Sequence, residues 1–452
     1  MSAIPGNVET DRQPPMIVPL RHFVAGLVFL LAGGLVGIGN AAGLVPGLAR
    51  LAHLHLLLVG WVCLTIMGAM TQFVPVWSNA ALHSRRLANA GLLLVATGVS
   101  GFAAAFALVA LPWLAVFGAV MGLGFWTFVY NIARTMATVD GYDVTERHFL
   151  LALGFFVALS TFGLVLAVEL SGVYSLGLPV SYAGLRGAHV TLAVFGAVLT
   201  TVYGAVYQLG TMFTQTDLDR LDRGLQSVEE IGYPTGVLVL ALGRLVGNVA
   251  LARVGGVLVV AGSVAVGTII VRKLVEMRVE WTPMHRRYAV FAPALVAWGL
   301  LSLPAWLRAP TAPEHLFGGA GSVHLLALGV VGFLVVGTLY HVIPFLIWVN
   351  QYSDRLGFES VPMIDDLYDD RLGAADFALF LGGTTALVGA DLSLLPAAAT
   401  GLGGGLVMLG AAVFAANMLR TIRNHSAYSL AGGVFGSPPE REENGDRADV
   451  RE

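Results

Sequence analysis

The sequence predicts an all-α membrane protein, a bundle of twelve transmembrane helices, and its composition is the first reason. Of the 452 residues, 56% are hydrophobic and only 12% are charged, whereas soluble domains average about 25% charged residues. A chain folded in water could not bury that much apolar surface. The composition therefore excludes an ordinary soluble enzyme and a disordered scaffold. The formal net charge of −3 also argues against a protein that binds nucleic acid.

The second reason is a series of twelve apolar segments separated by charged or Pro/Gly-rich breaks. Each is about long enough to cross the hydrocarbon core as a helix, and none alternates as a β-barrel strand does. They form one membrane domain over residues 21–425, between polar tails over 1–20, predicted to be flexible, and 426–452. Numbered 1 to 12, the segments cover residues 22–40, 51–76, 86–108, 112–135, 148–171, 183–213, 232–250, 253–276, 286–308, 318–349, 373–391 and 395–420.

Basic residues between the segments predict the orientation. Most of them follow segments 2, 4, 8 and 12, while the alternate loops carry mostly single arginines. By the positive-inside rule, both termini lie in the cytoplasm of a multi-pass plasma-membrane protein whose surroundings are lipid. The first twenty residues lack the pattern of a signal peptide. A single cysteine, Cys63, excludes an internal disulfide and a cysteine-based metal site.

The third reason is a sequence pattern shared by segments 2, 6 and 10. It recurs every four segments, so its copies run in the same direction. This predicts three parallel four-helix repeats, unlike the inverted repeats of many transporters. The matched positions are His55 with His324, Gly60 with Gly329, Gly68 with Gly204 and Gly337, Gln72 with Gln208 and His341, Pro75 with Pro344, His53 with His189, and Arg50 with Arg186.

Four histidines lie in the first turns of these segments: His53, His55, His189 and His324. Ionisable side chains inside a membrane are costly and usually face a functional interior. Residues two apart on a helix point about 200° apart, so His53 and His55 serve two different sites, or one of them is structural. We predict that the matched pair His55 and His324 ligates a haem iron between segments 2 and 10. His53 and His189 form a second pair, which serves a second haem or copper, or no cofactor.

Three arginines near the same end are candidate partners for haem propionates, which need positive charge at the water boundary. Arg50 and Arg186 lie one turn outward from His53 and His189, and Arg244 lies near the outer end of segment 7. The alternative is that each arginine simply extends its head group to the interface.

Twelve segments with outer-end histidines on segments 2, 6 and 10 resemble the catalytic subunit of haem-copper oxidases and nitric oxide reductases. Over about residues 20–425, the resemblance implies that His55, or its neighbour His53, and His324 ligate a low-spin haem b. It also implies that His189 ligates a second metal. The chain departs from the family because residues 232–250 contain no histidine and because Ser322 stands where a second haem ligand is expected. It therefore resembles a divergent member with an incomplete binuclear centre.

Three functions are compatible with these features. The first is a haem b protein for respiratory electron transfer or chemistry of O2 or NO, served by other respiratory subunits or an external electron donor. The second is an active terminal oxidase or nitric oxide reductase subunit, which the missing histidines of segment 7 disfavour. The third is a metal-ion transporter, which the same-direction repeats disfavour. The absence of Cys-x-x-Cys-His excludes covalently attached haem.

Overall fold

The computed structural model describes residues 14–139 and 141–426. Within those ranges the chain is built from helices and turns, without a β-strand. The long helices are α1 Ile17–Ala41, α2 Ala49–Trp77, α3 Arg85–Ala107, α4 Trp113–Met136, α5 Val144–Ser171, α6 Tyr182–Thr214, α7 Arg220–Leu245, α8 Val249–Glu276, α9 Pro283–Arg308, α10 Leu325–Gln351, α11 Asp370–Asp391 and α12 Ala399–His425.

Eleven of these helices are long and apolar enough to cross a membrane, which confirms the prediction of an all-helical, multi-pass membrane protein in contact with lipid. The exception is α7, whose first half is charged. There Asp222 lies 2.8 Å from Lys273 Nζ and 2.8 Å from Arg272 Nε, near the end of α8. Burial would raise the pKa of Asp222, but hydrogen bonds from Lys273 and Arg272 outweigh it and lower the pKa to about 2. The first half of α7 is thus an ion-paired structure suited to the water boundary.

The N-terminal boundary differs from the prediction. Residues 17–20, assigned above to the flexible tail, form the first turn of α1, and Val18 and Leu20 are buried. Pro19 is compatible with this turn because the first N–H groups of a helix have no intrahelical partner. The rest of the predicted N-terminal tail includes residues 1–13, and the predicted C-terminal tail includes residues 427–452; both stretches lie outside the described ranges.

The helices pack as a ring in which each contacts the next along the chain and α12 contacts α1. The most buried are α2, α6 and α10, with 67%, 83% and 83% of their most apolar stretch inside the molecule, against 33–61% for the other eight apolar helices. Small residues permit the close approaches: a Cβ on Gly255 of α8 would lie 2.2 Å from the backbone of Leu240 in α7. This close packing is typical of helices inside membranes.

Helices α2, α6 and α10 each contain a π-helical segment near the end that carries the four histidines, which we call the histidine end. These segments are Leu56–Cys63, Thr191–Leu199 and Leu325–Gly332. The segments of α2 and α10 begin directly after His55 and His324, and the segment of α6 begins two residues after His189. π-Helices are rare and often mark functional sites.

The same three helices surround an apolar cavity of about 70 Å³, directly beyond their π-helical segments. Its wall includes three threonines whose hydroxyl groups already have partners. Thr65 and Thr201 donate to the carbonyl four residues earlier in their own helices, and the Thr338 hydroxyl lies 2.9 Å from that of Tyr288. The cavity therefore presents no free hydroxyl group.

Candidate functional site

His53 faces α1. Its Nδ1 lies 2.7 Å from the carbonyl oxygen of Gly33. The ring fits because Gly37, one turn along α1, has no side chain; a Cβ there would lie 2.5 Å from His53 Nδ1. A carbonyl can only accept a hydrogen bond, so Nδ1 carries the proton and Nε2 keeps its lone pair. The half-buried ring interacts electrostatically with His324.

His324 lies at the start of α10, where its Nδ1 donates to Asp391 Oδ2 over 2.7 Å. Asp391 is the last residue of α11. The two side chains are 32% and 19% exposed. A carboxylate in this position orients a metal-binding imidazole, fixes its tautomer and raises its basicity. Like His53, His324 therefore directs Nε2 away from its hydrogen-bond partner. We call these two residues the His53–His324 pair.

His189 repeats on α6 the contacts that His53 makes on α2. Its Nδ1 lies 3.0 Å from the carbonyl oxygen of Leu159 in α5. Gly163, four residues after Leu159, faces the ring, and a Cβ there would lie 3.0 Å from His189 Cε1. At His53 and at His189 alike, one helical turn separates the residue whose carbonyl accepts from Nδ1 and the glycine that faces the ring. Nε2 of His189, like that of His53, keeps its lone pair.

His55 projects from the other side of α2, towards α3. Its Nδ1 donates to the carbonyl of Leu51 over 2.8 Å, and its ring packs against Phe102 and Phe106 at centroid distances of 5.0 and 5.5 Å. It interacts electrostatically with His189. We call these two residues the His55–His189 pair.

Electrostatic interactions join His53 with His324 and His189 with His55, which favours these two combinations. The pairing of His55 with His324 and of His53 with His189 stays a prediction. The physical reason for the favoured combinations is that matched positions on parallel helices of a ring face successive interfaces. Because residues two apart point to opposite sides of a helix, His53 and His55 must address the two neighbours of α2.

The third interface, between α6 and α10, has no histidine at the matched positions. There Thr191 stands for His55, and Ser322 stands for His53. Both are buried, and the Ser322 hydroxyl donates to the carbonyl of Gly319 over 2.7 Å. We call this the Arg244 interface, because Arg244 Nη1 donates to Thr191 Oγ1 over 2.8 Å.

Arg244 is only 3% exposed. Besides Thr191, it donates to the carbonyl oxygens of Pro310, His315 and Leu316 at 3.0, 2.9 and 3.2 Å. Its guanidinium lies 5.4 Å from the centroid of Trp306, and buried Trp298 packs on Trp306 at 5.7 Å. These partners occupy the guanidinium and favour a structural role for Arg244; its pairing with a propionate stays a prediction.

Arg50 and Arg186 are exposed at the histidine end. Arg50 interacts electrostatically with His53, and Arg186 with Tyr182. Neither forms an ion pair with an acidic residue in the described part of the chain. Their guanidinium groups remain available to an anionic group, so their assignment to propionates stays a prediction.

The donor set fits a haem better than a bare metal ion. Among residues 14–139 and 141–426, the one group of three side chains close enough to hold an ion is Asp219, Asp222 and Glu276. Neither histidine pair has a third histidine, cysteine or carboxylate ligand. Zinc usually needs three or four protein ligands, whereas a porphyrin supplies four nitrogens and leaves two axial positions, which suit two imidazoles.

Sequence reasoning missed a buried polar cluster at the opposite end of the bundle. His148 of α5 uses both ring nitrogens: Nδ1 lies 2.7 Å from the carbonyl of Val144, and Nε2 lies 3.1 Å from Glu229 Oε1. Tyr207 donates to Glu229 Oε2 over 2.8 Å. His148 is therefore fully engaged, in contrast to the four histidines at the other end.

A second cluster of the same kind joins α9, α10 and α11. Buried Arg287 pairs with buried Asp376, which also accepts a hydrogen bond from Tyr340. An acidic residue within the apolar segment 373–391 is the sequence signal that points to this cluster.

No model of a known protein family matches this chain, and no curated protein is significantly similar to it.

Proposed function

We propose that this chain is an integral membrane protein that binds haem b, with His53 and His324 as the axial ligands, and that it transfers electrons or binds O2 or NO in the membrane. The main support is the electrostatic interaction between two imidazoles from different helices, each with Nδ1 engaged in a hydrogen bond and with no hydrogen-bond partner on Nε2 in the described part of the chain. The proposal keeps His324 from the sequence prediction and replaces its partner His55 by His53.

A bound haem would supply one-electron reduction and oxidation of its iron. The chain supplies the surroundings. The Gly33 carbonyl and the Asp391 carboxylate hold the two imidazoles in the tautomer that presents Nε2. The negative charge of Asp391 makes His324 a stronger donor, which favours the oxidised iron. Exposed Arg50, near His53, would balance a propionate at the water boundary.

We further propose the arrangement predicted from the sequence: twelve crossings, including the apolar second half of α7, in three parallel four-helix repeats resembling the haem-copper oxidase catalytic subunit. Equivalent contacts support it. In each repeat the glycine of the second helix faces the same position of the first helix: Gly68 against His22, Gly204 against His148, and Gly337 against Arg287. The three π-helical segments occupy corresponding positions as well.

The Arg244 interface argues against a functioning binuclear centre. The resembled family places its oxygen-reducing metals next to helices 6, 7 and 10, and here that region contains Arg244 with buried tryptophans. We therefore favour electron transfer or gas binding over an active terminal oxidase or nitric oxide reductase. A metal-ion transporter is less well supported, because no described histidine belongs to a three-ligand group.

The test is the absorption spectrum of the full chain purified in detergent, in its oxidised and dithionite-reduced forms. We expect the bands of low-spin, six-coordinate haem b. His324→Ala and His53→Ala should each remove one haem per chain. His83→Ala is the matched control, because His83 is exposed in the loop between α2 and α3, at the end of the bundle opposite the pair. A wild-type protein without haem, or an unchanged haem content in His324→Ala, would refute the proposal.

A further inference from the structure

We propose that the apolar cavity between α2, α6 and α10 binds one small apolar gas molecule, O2 or NO, without forming a bond to it. This site is distinct from the proposed haem iron, because no histidine lines the cavity and the π-helical segments separate it from the histidine end. A chain without haem would still contain it.

The wall of the cavity is built from matched positions of the three inner helices. On each helix, the residue that follows the matched glycine lines the cavity, namely Ala69, Ala205 and Thr338. Every lining residue except Trp77 belongs to a triad of such matched positions. An accidental packing defect has no reason to recur at equivalent positions of three helices with different side chains. The space is therefore a feature of how these helices meet.

Ala69, Ala205 and Thr338 border open space in the middle of the bundle. Each is partly exposed, whereas the residues directly before and after it along the helix are buried. Protein interiors contain few voids larger than a water molecule, because the atoms that line a void lose packing contacts. Alanine at two of the three positions leaves the space unfilled, and a bound molecule would restore the missing contacts.

The volume and the surface of the cavity select its occupant. Its 70 Å³ would admit water by size, but a buried water needs about two to four polar partners. The wall is apolar, and the hydroxyl groups of Thr65, Thr201 and Thr338 are already engaged. An apolar cavity of about 150 Å³ stays dry and binds benzene or xenon. Half that volume suits a molecule of two heavy atoms.

Three aromatic rings complete the wall on the side of the outer helices. Phe23 of α1, Phe149 of α5 and Tyr288 of α9 line the cavity and are at most 2% exposed. A lipid chain is too long for the cavity and would have to pass between these rings. A diatomic gas favours apolar surroundings and needs only the brief gaps that side-chain motion opens.

The first test uses xenon, a probe for apolar gas sites. Crystals of the full chain are exposed to xenon gas, and anomalous scattering locates the atom. We expect one xenon between Ala69, Ala205 and Thr338. Ala205→Leu should lower its occupancy about tenfold, because the added carbons fill the space. If that variant does not fold, Leu334→Ala, which removes part of the wall, should raise the occupancy.

Ala261→Leu is the matched control, because it makes the same change on an exposed face of α8 and should leave the xenon in place. The site is overturned if the wild type binds no xenon, if Ala205→Leu binds it unchanged, or if ordered water or a lipid chain fills the cavity.

The second test uses the gases themselves. Dissolved O2 and NO are paramagnetic, so each speeds the relaxation of nearby methyl protons. His324→Ala is the background, since the proposed haem is absent from it. We expect each gas to relax the Ala69 methyl, an effect that Ala205→Leu should remove without changing the Ala261 methyl. Enhancement by one gas alone would assign the site to that gas.

The outcomes keep this site and the haem separate. Xenon bound in the cavity of a wild-type chain that contains no haem would refute the haem proposal and support the gas site. Xenon bound without relaxation of the Ala69 methyl by either gas would overturn the assignment to O2 or NO.

Discussion

The interface between α10 and α2 and the interface between α6 and α10 use matched helix positions but contain different chemistry. In the first, Nε2 of His324 and of His53 has no hydrogen-bond partner in the described part of the chain. In the second, Thr191 and Ser322 take those positions and their hydroxyl groups are hydrogen-bonded within the protein, Thr191 also accepting from Arg244. The comparison teaches that these helices can pack without imidazoles, so helix packing does not account for the histidines.

The largest effect is expected from removing the guanidinium of the Arg244 interface. Arg244→Met deletes four hydrogen bonds and leaves the buried carbonyls of Pro310 and Leu316 without a donor, while the His315 carbonyl still accepts from Trp306 Nε1. A buried acceptor without a partner costs roughly 1–3 kcal/mol, so the free energy of unfolding should fall by about 3–5 kcal/mol. Unfolding in mixed micelles of increasing denaturing detergent measures this change.

Arg253→Met is the control for that variant, because Arg253 is exposed near the start of α8, at the same end of the bundle. Its stability should stay within about 0.5 kcal/mol of wild type. Both variants should keep the wild-type haem content when folded. Loss of haem in Arg244→Met, at unchanged stability, would contradict the structural role of Arg244.

The second effect concerns the acceptor that differs between the two histidine pairs. Asp391→Asn keeps the shape of the side chain but removes the charge that faces His324. Changes to such an outer partner typically weaken metal binding 10–100-fold, so haem should dissociate about that much more readily from the His53–His324 pair. The reduction potential of this haem should rise, because the less basic imidazole stabilises oxidised iron less.

Asp370→Asn, at the other, exposed end of α11, is the control. An equal shift of the reduction potential in Asp370→Asn would show that Asp391 acts through the general field and not through His324.

The smallest effect tests the two glycines that face histidine rings. A Cβ at Gly37 would lie 2.5 Å from the His53 ring, whereas a Cβ at Gly163 would lie 3.0 Å from the His189 ring. Gly37→Ala should therefore weaken haem binding by the His53–His324 pair by about tenfold, whereas Gly163→Ala, which faces a histidine outside that pair, should leave this binding within about twofold of wild type. Haem titration of the two variants measures both changes, and the reverse order would contradict the geometry.

The sequence predicted the class of fold because that depends on composition and segment length alone. It also identified the four histidines, since an ionisable residue at the start of an apolar segment is conspicuous. The sequence does not define which histidines face the same helix interface. That depends on the rotation of each helix in the ring, and the alignment of His55 with His324 defines equivalent positions without defining the interface that each one faces.

Two other features lack a local sequence signal. The π-helical segments contain ordinary apolar residues such as those of Leu325–Gly332, so nothing in their composition distinguishes them from α-helix. The partners of Arg244 lie 66–72 residues further along the chain, in the loop before α10. Asp391 is similarly separated from His324 by 67 residues. Contacts over such distances follow from the packing of the ring and not from residue spacing.

The apolar cavity between α2, α6 and α10 has a consequence for the movement of charge. Apolar cavities of this kind stay dry, and the hydroxyl groups of Thr65, Thr201 and Thr338 are engaged within the protein. This part of the bundle axis therefore offers no polar group that could relay a proton between the two ends, and any proton path through the bundle would have to pass outside this cavity.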